Sequence, residues 1–577
     1  MDRPNEINDK RLRFDSFSDP APMYGKRKRL PAMGWNSWNA FGSGNTEELT
    51  KIMADRIVEL GLDKLGYSYV VLDDGCYKPE RVNGLLSNEE VKFPSGFRAL
   101  ADYIHAKGLK FGMYNDIGTN LCAGAAVGTC GHEREDAKSY LDWKIDFIKV
   151  DNCYYLWDNA TFSNAENARF TYAPAIRQMT VSTDGWMQGF MIPEPTGIGT
   201  VDGTGPDHTP IGDLSTEARF SFDAPSDGEY ELTVEYATSK ESGQGEWLQV
   251  AVGTGDDTEY FFDDLLAPTQ DKETFVRSNP IRIRLKKGAN ILRLMNHRRQ
   301  ENTLCSYARL KEAFYELDPD NDVVLSICEW GKTGPHTWGH KVGDSWRILN
   351  DITFNVGSDG NPGKCAWTSD YTTSICAQYN KAVIMDEFAG PEKGWNDPDM
   401  MVIGMGDITE TMNRTHMTMW CMMNSPLMLG LDLRRVAKGD PIYNIIANPD
   451  VIALNQDKLG VQAKRVWSSL EGEHPDTAYL RDNDRVDILA KPLADGSLAV
   501  SVINLSDHTW AEPVKVDIDR ILGFIGAKTV DSEKFSKATE YVVKDLWTKE
   551  ESSLAGKTLT VTGLEPYDNK TFKISII

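Results

Sequence analysis

The chain has 577 residues, of which 41% are hydrophobic and 26% are charged, and its formal net charge is −24 at pH 7. This length exceeds what one small hydrophobic core can support, so the sequence predicts several domains. The negative charge would repel polyanions, which disfavours nucleic acids and anionic lipid surfaces as partners. No apolar stretch is long enough to span a bilayer, and the composition is that of a globular protein.

The N-terminus and the cysteines bear on location and on metal binding. The stretch MDRPNEINDKRLRFD at the N-terminus contains no apolar signal core. The sequence is therefore either that of a cytoplasmic chain or that of a mature form, and these residues leave both open. We expect the mature extracellular or periplasmic form. Nine cysteines are spread over the chain, and none of them forms a Cys-x-x-Cys pair. This spacing predicts neither a small disulfide framework nor a structural metal site.

From about residue 31, short apolar strands alternate with amphipathic helical stretches, which is typical of parallel βα units. Four strands are predicted at AMGWNSW, YSYVVLDDG, LKFGMYNDIG and DFIKVDNC, with helices at TEELTKIMADRIVELG, SGFRALADYIHAKG and HEREDAKSYLDWK. Each strand ends in polar or aromatic residues. Charged side chains are costly to bury unless they are paired, so these ends predict a rim where the sheet meets a pocket.

Between about residues 159 and 303 the βα pattern stops. Stretches such as ARFSFDAPSDGEYELTVEYATS and IRIRLKKGANILRLMN alternate with a period of two and contain Gly, Asp and Asn at turn positions. This pattern predicts an antiparallel β-sandwich inserted into a loop of the first domain.

The βα pattern resumes with the helix SYARLKEAFYELD and the strands DVVLSICEWG, SWRILNDI, DPDMMVIG and PLMLGLDL. Four strands on each side of the insert predict an α/β fold of the (β/α)8 TIM-barrel type, in which catalytic groups lie at the carboxyl ends of the strands. Alternation in RVDILAKPL and SLAVSVINLS predicts a C-terminal antiparallel β-sandwich. The predicted domains are an N-terminal extension (1–30), the first half of the barrel (31–158), the insert (159–303), the second half of the barrel (304–435) and the C-terminal domain (436–577).

Polar and aromatic side chains would gather at the carboxyl rim of this barrel. They are Asp73, Asp74, Tyr114, Asp116, Lys149, Asp151, Glu329, Trp330, Arg347 and Asp351. Carboxylates and cations pair with vicinal hydroxyls, while Trp and Tyr cover the apolar face of a pyranose. Two carboxyl groups that flank an anomeric carbon make a glycosidase. The rim therefore predicts a sugar pocket with hydrolytic chemistry.

Other interpretations remain open for several of these positions. A single aspartate at a strand end also suits a turn or a cap, and Asp116 fits either role. Trp35 and Trp330, taken singly, are typical of a core. The segment Asn396-Asp397-Pro398 is predicted to form a turn that supports the pocket floor.

Six stretches occur in the order and setting of one enzyme family: MGWNSWNAFG, LDDG, FGMYNDIG, KVDNC, CEWG and WNDPDMM. On these motifs the sequence resembles glycoside hydrolase family 27, and within it the α-galactosidases. The resemblance covers residues from about 30 to 160 and 303 to 435, and it extends more weakly into the C-terminal part. It implies a retaining exo-glycosidase that removes terminal α-D-galactose through a covalent intermediate.

The resemblance also implies roles for individual side chains. The family's nucleophile is the aspartate of the K-x-D-x-C stretch, here Asp151, and its acid/base is the aspartate that ends the sixth strand, here Asp351. The implied sugar-binding residues are Trp38, Asp73, Asp74, Tyr114, Lys149, Glu329 and Arg347. Lys149 would favour the ionised form of Asp151, whereas Asp351 must start protonated and needs a raised pKa.

The same resemblance implies a disulfide between Cys122 and Cys153, which in a cytoplasmic chain would be free thiols. The sequence departs from the family pattern at other cysteines. Ser43 stands where relatives often carry a cysteine, so Cys76 lacks its usual partner. Cys328 lacks a partner too, because no cysteine lies between Glu329 and Asp351.

The choice of sugar follows from three carboxylates. Glu329 suits a free 2-hydroxyl, whereas the family's N-acetylgalactosaminidases have small residues there. Asp73 and Asp74 favour an axial 4-hydroxyl and a 6-hydroxyl. The expected partner is a galactose-containing oligosaccharide or polysaccharide, and the oligomeric state stays open. The alternatives are a β-L-arabinopyranosidase or an isomaltose-releasing dextranase of the family, and a non-catalytic carbohydrate-binding protein.

The predicted insert resembles carbohydrate-binding modules of families 6 and 35 in DAPSDGEYELTVEYA and LKKGANILRLMN. Such modules often bind a structural calcium ion, but no ligand cluster can be recognised in this stretch. The alternative is a sandwich that walls off a subsite or mediates oligomerisation. The hydrolysis itself is expected to need no cofactor and no metal.

Overall fold

The computed structural model describes residues 28–118, 120–153, 174–192, 217–238, 247–254, 259–271, 273–295, 299–331, 334–355, 364–369, 374–526 and 532–577. The predicted N-terminal extension, 1–30, lies almost wholly outside these residues. In the described ranges, no helix combines the length and the apolar composition that crossing a membrane requires.

The first part of the chain forms four strands with helices between them. In chain order they are β1 (Met33–Asn36), α1 (Trp38–Phe41), α2 (Glu47–Leu60), β2 (Tyr69–Val71), α3 (Gly96–His105), β3 (Lys110–Asp116), α4 (Glu133–Asp142) and β4 (Phe147–Asp151). Local sequence explains their limits. For example, α2 begins where the Thr46 side chain accepts a hydrogen bond from the Leu49 amide, and it ends at Gly61, whose φ of 75° favours glycine.

The described residues that follow form two antiparallel sheets. Their strands are β5 (Ala175–Thr183), β6 (Trp186–Met191), β7 (Glu217–Ala224), β8 (Gly228–Ala237), β9 (Trp247–Val252), β10 (Glu259–Leu265), β11 (Val276–Arg277), β12 (Ile281–Leu285) and β13 (Gly288–Met295). One sheet has the order β10-β9-β13-β7, and the other contains β11, β8, β5 and β6, with β12 also paired to β8. Val181 and Leu232 of one sheet share a buried cluster with Leu248 and Leu292 of the other.

The next part returns to strands and helices in alternation. Its elements are α5 (Arg299–Leu317), β14 (Val324–Cys328), α6 (Pro335–Trp338), β15 (Ser345–Arg347), β16 (Thr353–Asn355), β17 (Lys364–Cys365), α7 (Ile375–Ala382), β18 (Trp395–Asp397), α8 (Glu410–Met422), β19 (Leu427–Leu429), α9 (Pro441–Ile446) and α10 (Pro449–Asn455). Helix α5 starts slightly upstream of the predicted boundary at residue 304.

Eight of these strands form one curled sheet in the order β18-β15-β14-β4-β3-β2-β1-β19, and neighbouring strands are parallel. Met401 connects the two edges of this sheet. Its amide donates to the Met428 carbonyl at 2.8 Å, and its carbonyl accepts from the Gly430 amide at 3.1 Å. Because the strands are parallel, all of their carboxyl ends lie along one side of the curled sheet, which is called its carboxyl edge below. This is the arrangement expected for the predicted pocket.

The C-terminal part is an antiparallel β-domain. Its elements are β20 (Lys464–Ser468), β21 (Val486–Pro492), β22 (Leu498–Asn504), β23 (Val514–Asp517), α11 (Ile518–Ile525), α12 (Ser532–Lys537), β24 (Glu540–Asp545), β25 (Glu551–Ala555), β26 (Thr558–Val561) and β27 (Asn569–Ile576). The main sheet has the order β20-β21-β22-β27-β24-β25, and β23 pairs with β26. The predicted boundary at residue 436 lies upstream of this domain, because α9 and α10 come before its first strand.

Candidate active site

The side chains predicted to form the pocket meet at the carboxyl edge of the curled sheet. Asp73 and Asp74 follow β2, Asp151 is the last residue of β4, and Glu329 follows β14. All four residues are at least 95% buried. Asp151 pairs in register with Asp116 of β3 and with Cys328 of β14, so these strand ends are level with one another.

The Asp151 carboxylate is held by one phenol and lies beside one ammonium group. Its Oδ2 accepts a hydrogen bond from the Tyr114 hydroxyl at 2.8 Å. Burial raises the pKa of Asp151 to about 6, although the charge of Lys149 acts in the opposite direction. Lys149 favours the ionised form of Asp151, as the sequence analysis expected, but the loss of solvent outweighs its attraction.

Lys149 connects the predicted nucleophile to the predicted sugar-binding acids. Its Nζ donates to Asp73 Oδ2 at 2.9 Å and lies 5.4 Å from the centre of the Tyr114 ring. Asn36, which sequence reasoning missed, donates to the same Asp73 oxygen at 2.8 Å. Burial opposes the charge on Lys149, but Asp73 and Asp151 outweigh this effect and raise the pKa of Lys149 well above its usual value.

Asp74 is fixed by backbone amides rather than by a cation. Its two oxygens accept from the amides of Gly75 at 2.6 Å and Ala123 at 2.7 Å. Burial raises the pKa of Asp74 to about 6 despite these donors. Ala123 follows Cys122, which forms a disulfide with Cys153 as predicted. The disulfide therefore joins the loop that holds Asp74 to the segment directly after Asp151.

Two further cysteines test the prediction that they lack disulfide partners. Among the described residues, Cys76 and Cys328 are buried free thiols, in agreement with the missing partners noted in the sequence.

Asp116 accepts hydrogen bonds from the amides of Gly118 and Cys153, each at 2.6 Å. It therefore acts as a cap that shapes the loops after β3 and β4. Asp116, Cys122 and Cys153 also cluster like metal ligands, but the disulfide occupies both sulfur atoms.

Asp351 lies on the other side of the site. Its Oδ1 accepts from Trp330 Nε1 at 3.2 Å and from Arg347 Nη2 at 3.1 Å, and its side chain is 54% exposed. Strand β15 ends at Arg347, so Asp351 belongs to the following loop and does not end the strand as predicted. Asp351 raises the pKa of Asp151, although by less than burial and Asp73 do, so the two carboxyl groups interact.

Sequence reasoning missed Asp399, which is buried behind Arg347. Asp399 Oδ2 lies 2.9 Å from Arg347 Nη2 and accepts from the Ile352 amide at 2.8 Å. Its backbone is left-handed, with φ of 79°. The preceding Asp397 accepts a hydrogen bond from the Asp399 amide at 2.8 Å, as a turn residue does. The motif WNDPDMM was the available signal, but it did not distinguish the second aspartate.

The tryptophans differ in their surroundings. Trp38 follows β1, is half-buried and packs against the interior cluster that contains Tyr69, Phe147 and Met400. Trp35 is fully buried, and its Nε1 donates to the Leu431 carbonyl at 2.8 Å, which confirms the prediction of a packing role. Trp330, with φ of 58°, binds Asp351 and is not simply a core residue.

A curled parallel eight-stranded sheet with several buried carboxylates at its carboxyl edge is an arrangement that glycoside hydrolases use. A family model described as α-galactosidase A matches residues 30–186 and 336–457, and one described as the α-galactosidase C-terminal β-sandwich domain matches residues 483–574. Together they cover well over half of the chain, which belongs to this α-galactosidase (melibiase) family.

Several relatives are α-galactosidases by name, and solved structures share the fold of this chain. The chain is 26% identical to an α-galactosidase of Oryza sativa subsp. japonica over 95% of this chain and 85% of the relative. It is 28% identical to α-galactosidase A of Cellvibrio japonicus over 85% of this chain and 80% of that one. The structure of the Saccharomyces cerevisiae α-galactosidase superposes with a TM-score of 0.60 at 21% identity, covering 96% of this chain and all of that one. A β-L-arabinopyranosidase of Geobacillus stearothermophilus shares the fold, with a TM-score of 0.55 at 17% identity over 95% and 97% of the two chains.

Proposed function

We propose that this chain hydrolyses terminal α-D-galactosyl residues with retention of configuration, using Asp151 as nucleophile and Asp351 as acid/base. The observation that carries the proposal is the arrangement around Asp151. This carboxylate is buried at the end of a parallel strand, oriented by Tyr114 and electrostatically coupled to a second, more exposed carboxyl group. The α-galactosidase family of the chain supplies the substrate class.

In the first step, ionised Asp151 attacks the anomeric carbon while Asp351 donates a proton to the leaving oxygen. Tyr114 fixes Oδ2 of Asp151 and thereby orients Oδ1 for attack. In the second step, ionised Asp351 takes a proton from water, which hydrolyses the glycosyl-enzyme. Trp330 and Arg347 hold Asp351 in place and allow its open face to meet the leaving group and the water.

We also propose that five polar side chains select galactose. Asp73 and Asp74 would accept from the 4- and 6-hydroxyls, Glu329 from the 2-hydroxyl, and Lys149 and Arg347 would donate to ring hydroxyls. Trp38 would line the pocket beside the sugar. The eight strands would form a closed (β/α)8 barrel around this pocket.

The test compares the wild type with Asp151→Ala on three p-nitrophenyl glycosides: the α-D-galactopyranoside, the β-L-arabinopyranoside and the α-N-acetylgalactosaminide. We expect cleavage of the α-galactoside, with loss of at least about 1,000-fold in the variant because no other group can form the covalent intermediate. Preference for another glycoside would overturn the sugar selection. Binding of galactose without turnover of any glycoside would identify a lectin instead.

We further propose that the two sheets formed by β5–β13 are an inserted carbohydrate-binding module. The apolar core that the two sheets share supports a β-sandwich. The resemblance of DAPSDGEYELTVEYA and LKKGANILRLMN to such modules supports the binding of carbohydrate. The test uses Asp151→Ala, which cannot hydrolyse substrate, with excess galactose to fill the pocket. Retention on insoluble galactomannan would support the module, and free passage would favour a structural role. Dialysis against EDTA tests for calcium in this module and for the expected independence of hydrolysis from metal ions.

A further inference from the structure

Three buried side chains of helix α8 form hydrogen bonds with the segment that follows β18. Trp420 Nε1 donates to the Asp399 carbonyl at 2.8 Å. The Val402 amide donates to His416 Nε2 at 3.1 Å, and the Gly404 amide donates to Asn413 Oδ1 at 3.0 Å. His416 is fully buried, and burial lowers its pKa to about 3. The imidazole is therefore neutral at working pH and can accept this hydrogen bond.

The segment that follows β18 contains one aspartate, Asp399, with a positive φ. Asp399 has φ of 79°, which lies in the left-handed region that residues other than glycine adopt rarely. Such a backbone persists only where its surroundings enforce it. The Trp420 hydrogen bond acts directly on this residue, and the His416 bond fixes the chain three positions later. Helix α8 therefore supplies part of the enforcement.

The conformation of Asp399 matters because its carboxylate contacts two neighbours of Asp351, the proposed acid/base. It contacts the Arg347 guanidinium, which donates to Asp351, and it accepts from the amide of Ile352, the residue directly after Asp351. A small displacement of Asp399 would move both neighbours of Asp351. Misplacement of a catalytic group by about 1 Å can reduce the rate about 100-fold.

The same helix is fastened to the C-terminal domain at the start of β27. Thr415 Oγ1 donates to the Tyr567 carbonyl at 2.6 Å, and Thr418 Oγ1 donates to Asn569 Oδ1 at 3.0 Å. Arg414 adds an ion pair with Asp568. Helix α8 thus links the C-terminal sheet on one side to Asp399 on the other.

We propose that His416 and Trp420 are positioning residues for proton transfer, and that the C-terminal sheet contributes to catalysis by fixing the helix that carries them. This proposal rests on the proposed role of Asp351 as acid/base. It adds a task for the C-terminal domain beyond its own folding, since the sheet holds the scaffold of the proton donor.

The experiment compares kcat/KM, which reports the first chemical step, for p-nitrophenyl and methyl α-D-galactopyranosides. The poor leaving group of the methyl glycoside needs protonation, whereas p-nitrophenolate needs little. We expect His416→Leu and Trp420→Phe to lower kcat/KM at least about 10-fold for the methyl glycoside and less than about threefold for the aryl one. His416→Gln restores a side-chain acceptor and should recover most of the loss. Equal losses on both substrates would overturn the proposal.

Two controls distinguish a failure of this proposal from a failure of the acid/base assignment and from a simple loss of stability. Asp351→Ala must itself lower kcat/KM more for the methyl glycoside than for the aryl one. Equal losses in this variant would refute the acid/base assignment. If Asp351→Ala shows this difference and His416→Leu does not, only the positioning role fails. Tyr541→Phe removes the buried hydroxyl that donates to the carbonyls of Phe535 at 2.6 Å and Ala538 at 3.0 Å, a contact within the C-terminal domain.

The paired comparison is Thr415→Val/Thr418→Val against Tyr541→Phe, with thermal unfolding recorded for both. We expect the double threonine variant to reproduce the selective loss on the methyl glycoside. Tyr541→Phe should leave the ratio of the two kcat/KM values unchanged at a similar decrease in Tm. A ratio that changes in both variants, or in neither, would refute the transmission through α8.

Discussion

Burial and charge compete at the carboxyl group of Asp151. The loss of solvent raises its pKa to about 6, and Lys149 limits the rise. Because only the ionised carboxylate can attack, we expect kcat/KM for an aryl α-galactoside to fall about tenfold per pH unit below this pKa. The measurement is a pH profile from pH 4 to 8 in buffers of constant ionic strength. A profile that stays flat down to pH 4.5 would contradict the burial effect.

The opposing influence of Lys149 can be tested separately. Removal of its positive charge by Lys149→Met should raise the pKa of Asp151 further, so the acidic limb of the kcat/KM profile should move to higher pH. The direction follows because Lys149 stabilises the charged form. Lys110→Met is the matched control, since Lys110 lies at the amino end of β3. An unchanged limb in Lys149→Met, or an equal shift in the control, would contradict this interpretation.

At the scale of residues, the sequence predicted the side chains at the strand ends better than the side chains behind them. Asp73, Asp74 and Asp151 directly follow or end apolar strands, and the family motifs contain them. Asp399 was not identified, because its importance depends on a left-handed backbone and on contacts with Arg347 and Ile352 across the sheet. Neither local pattern nor motif contains that information.

Among the elements of the fold, the loops after β3 and β4 depend on one covalent link. The disulfide joins Cys122 to Cys153 across 31 positions. By the chain-entropy estimate, closing such a loop stabilises the fold by about 3–4 kcal/mol. We expect Cys122→Ser/Cys153→Ser to lower Tm and to reduce galactosidase activity, since Ala123 would hold Asp74 less firmly.

Thermal unfolding and activity with and without dithiothreitol check this prediction. The wild type should approach the double variant when reduced, and the double variant should not respond to the reductant. Resistance of the wild type to dithiothreitol in the unfolded state, or an effect on the double variant, would argue against the link as the cause.

The elements themselves followed largely from their sequence patterns, and the differences have local causes. Strand β15 is shorter than SWRILNDI suggested, because the chain turns after Arg347 to reach Asp351. Helices α9 and α10 were not predicted before the C-terminal domain. Each has Pro at its first position and Asp440 or Asn448 as its N-cap, a helix-start signal that the short apolar runs obscured.

In the whole molecule, the C-terminal domain shares the hydrophobic core of the curled sheet. Leu489, Ile503 and Leu546 belong to the same buried cluster as Trp420 and Tyr379. The Tyr379 hydroxyl also donates to the buried Asp487 at 2.9 Å. Sequence reasoning placed these two regions in separate domains, because contacts between distant segments leave no periodic signal.

We therefore expect a chain cut after Gly460 not to accumulate in folded form, because the cut exposes this part of the core and leaves buried polar groups without partners. Size-exclusion chromatography and circular dichroism of the expressed fragment check this. Co-expression of residues 461–577 should recover folded protein. A stable, active fragment without the C-terminal part would contradict the shared core.

The curled sheet is interrupted between two neighbouring strands, β4 and β14, which pair along their whole lengths. During synthesis, β4 therefore leaves the ribosome long before β14 exists. At about 5–20 residues per second, the delay is roughly 10–30 s. Throughout this interval the backbone groups of Phe147–Asp151 that later bind β14 form an open strand edge, and such edges invite pairing with other chains. The segment that ends in Asp151 is thus also one that a chaperone can protect from pairing with other chains while the protein is being made.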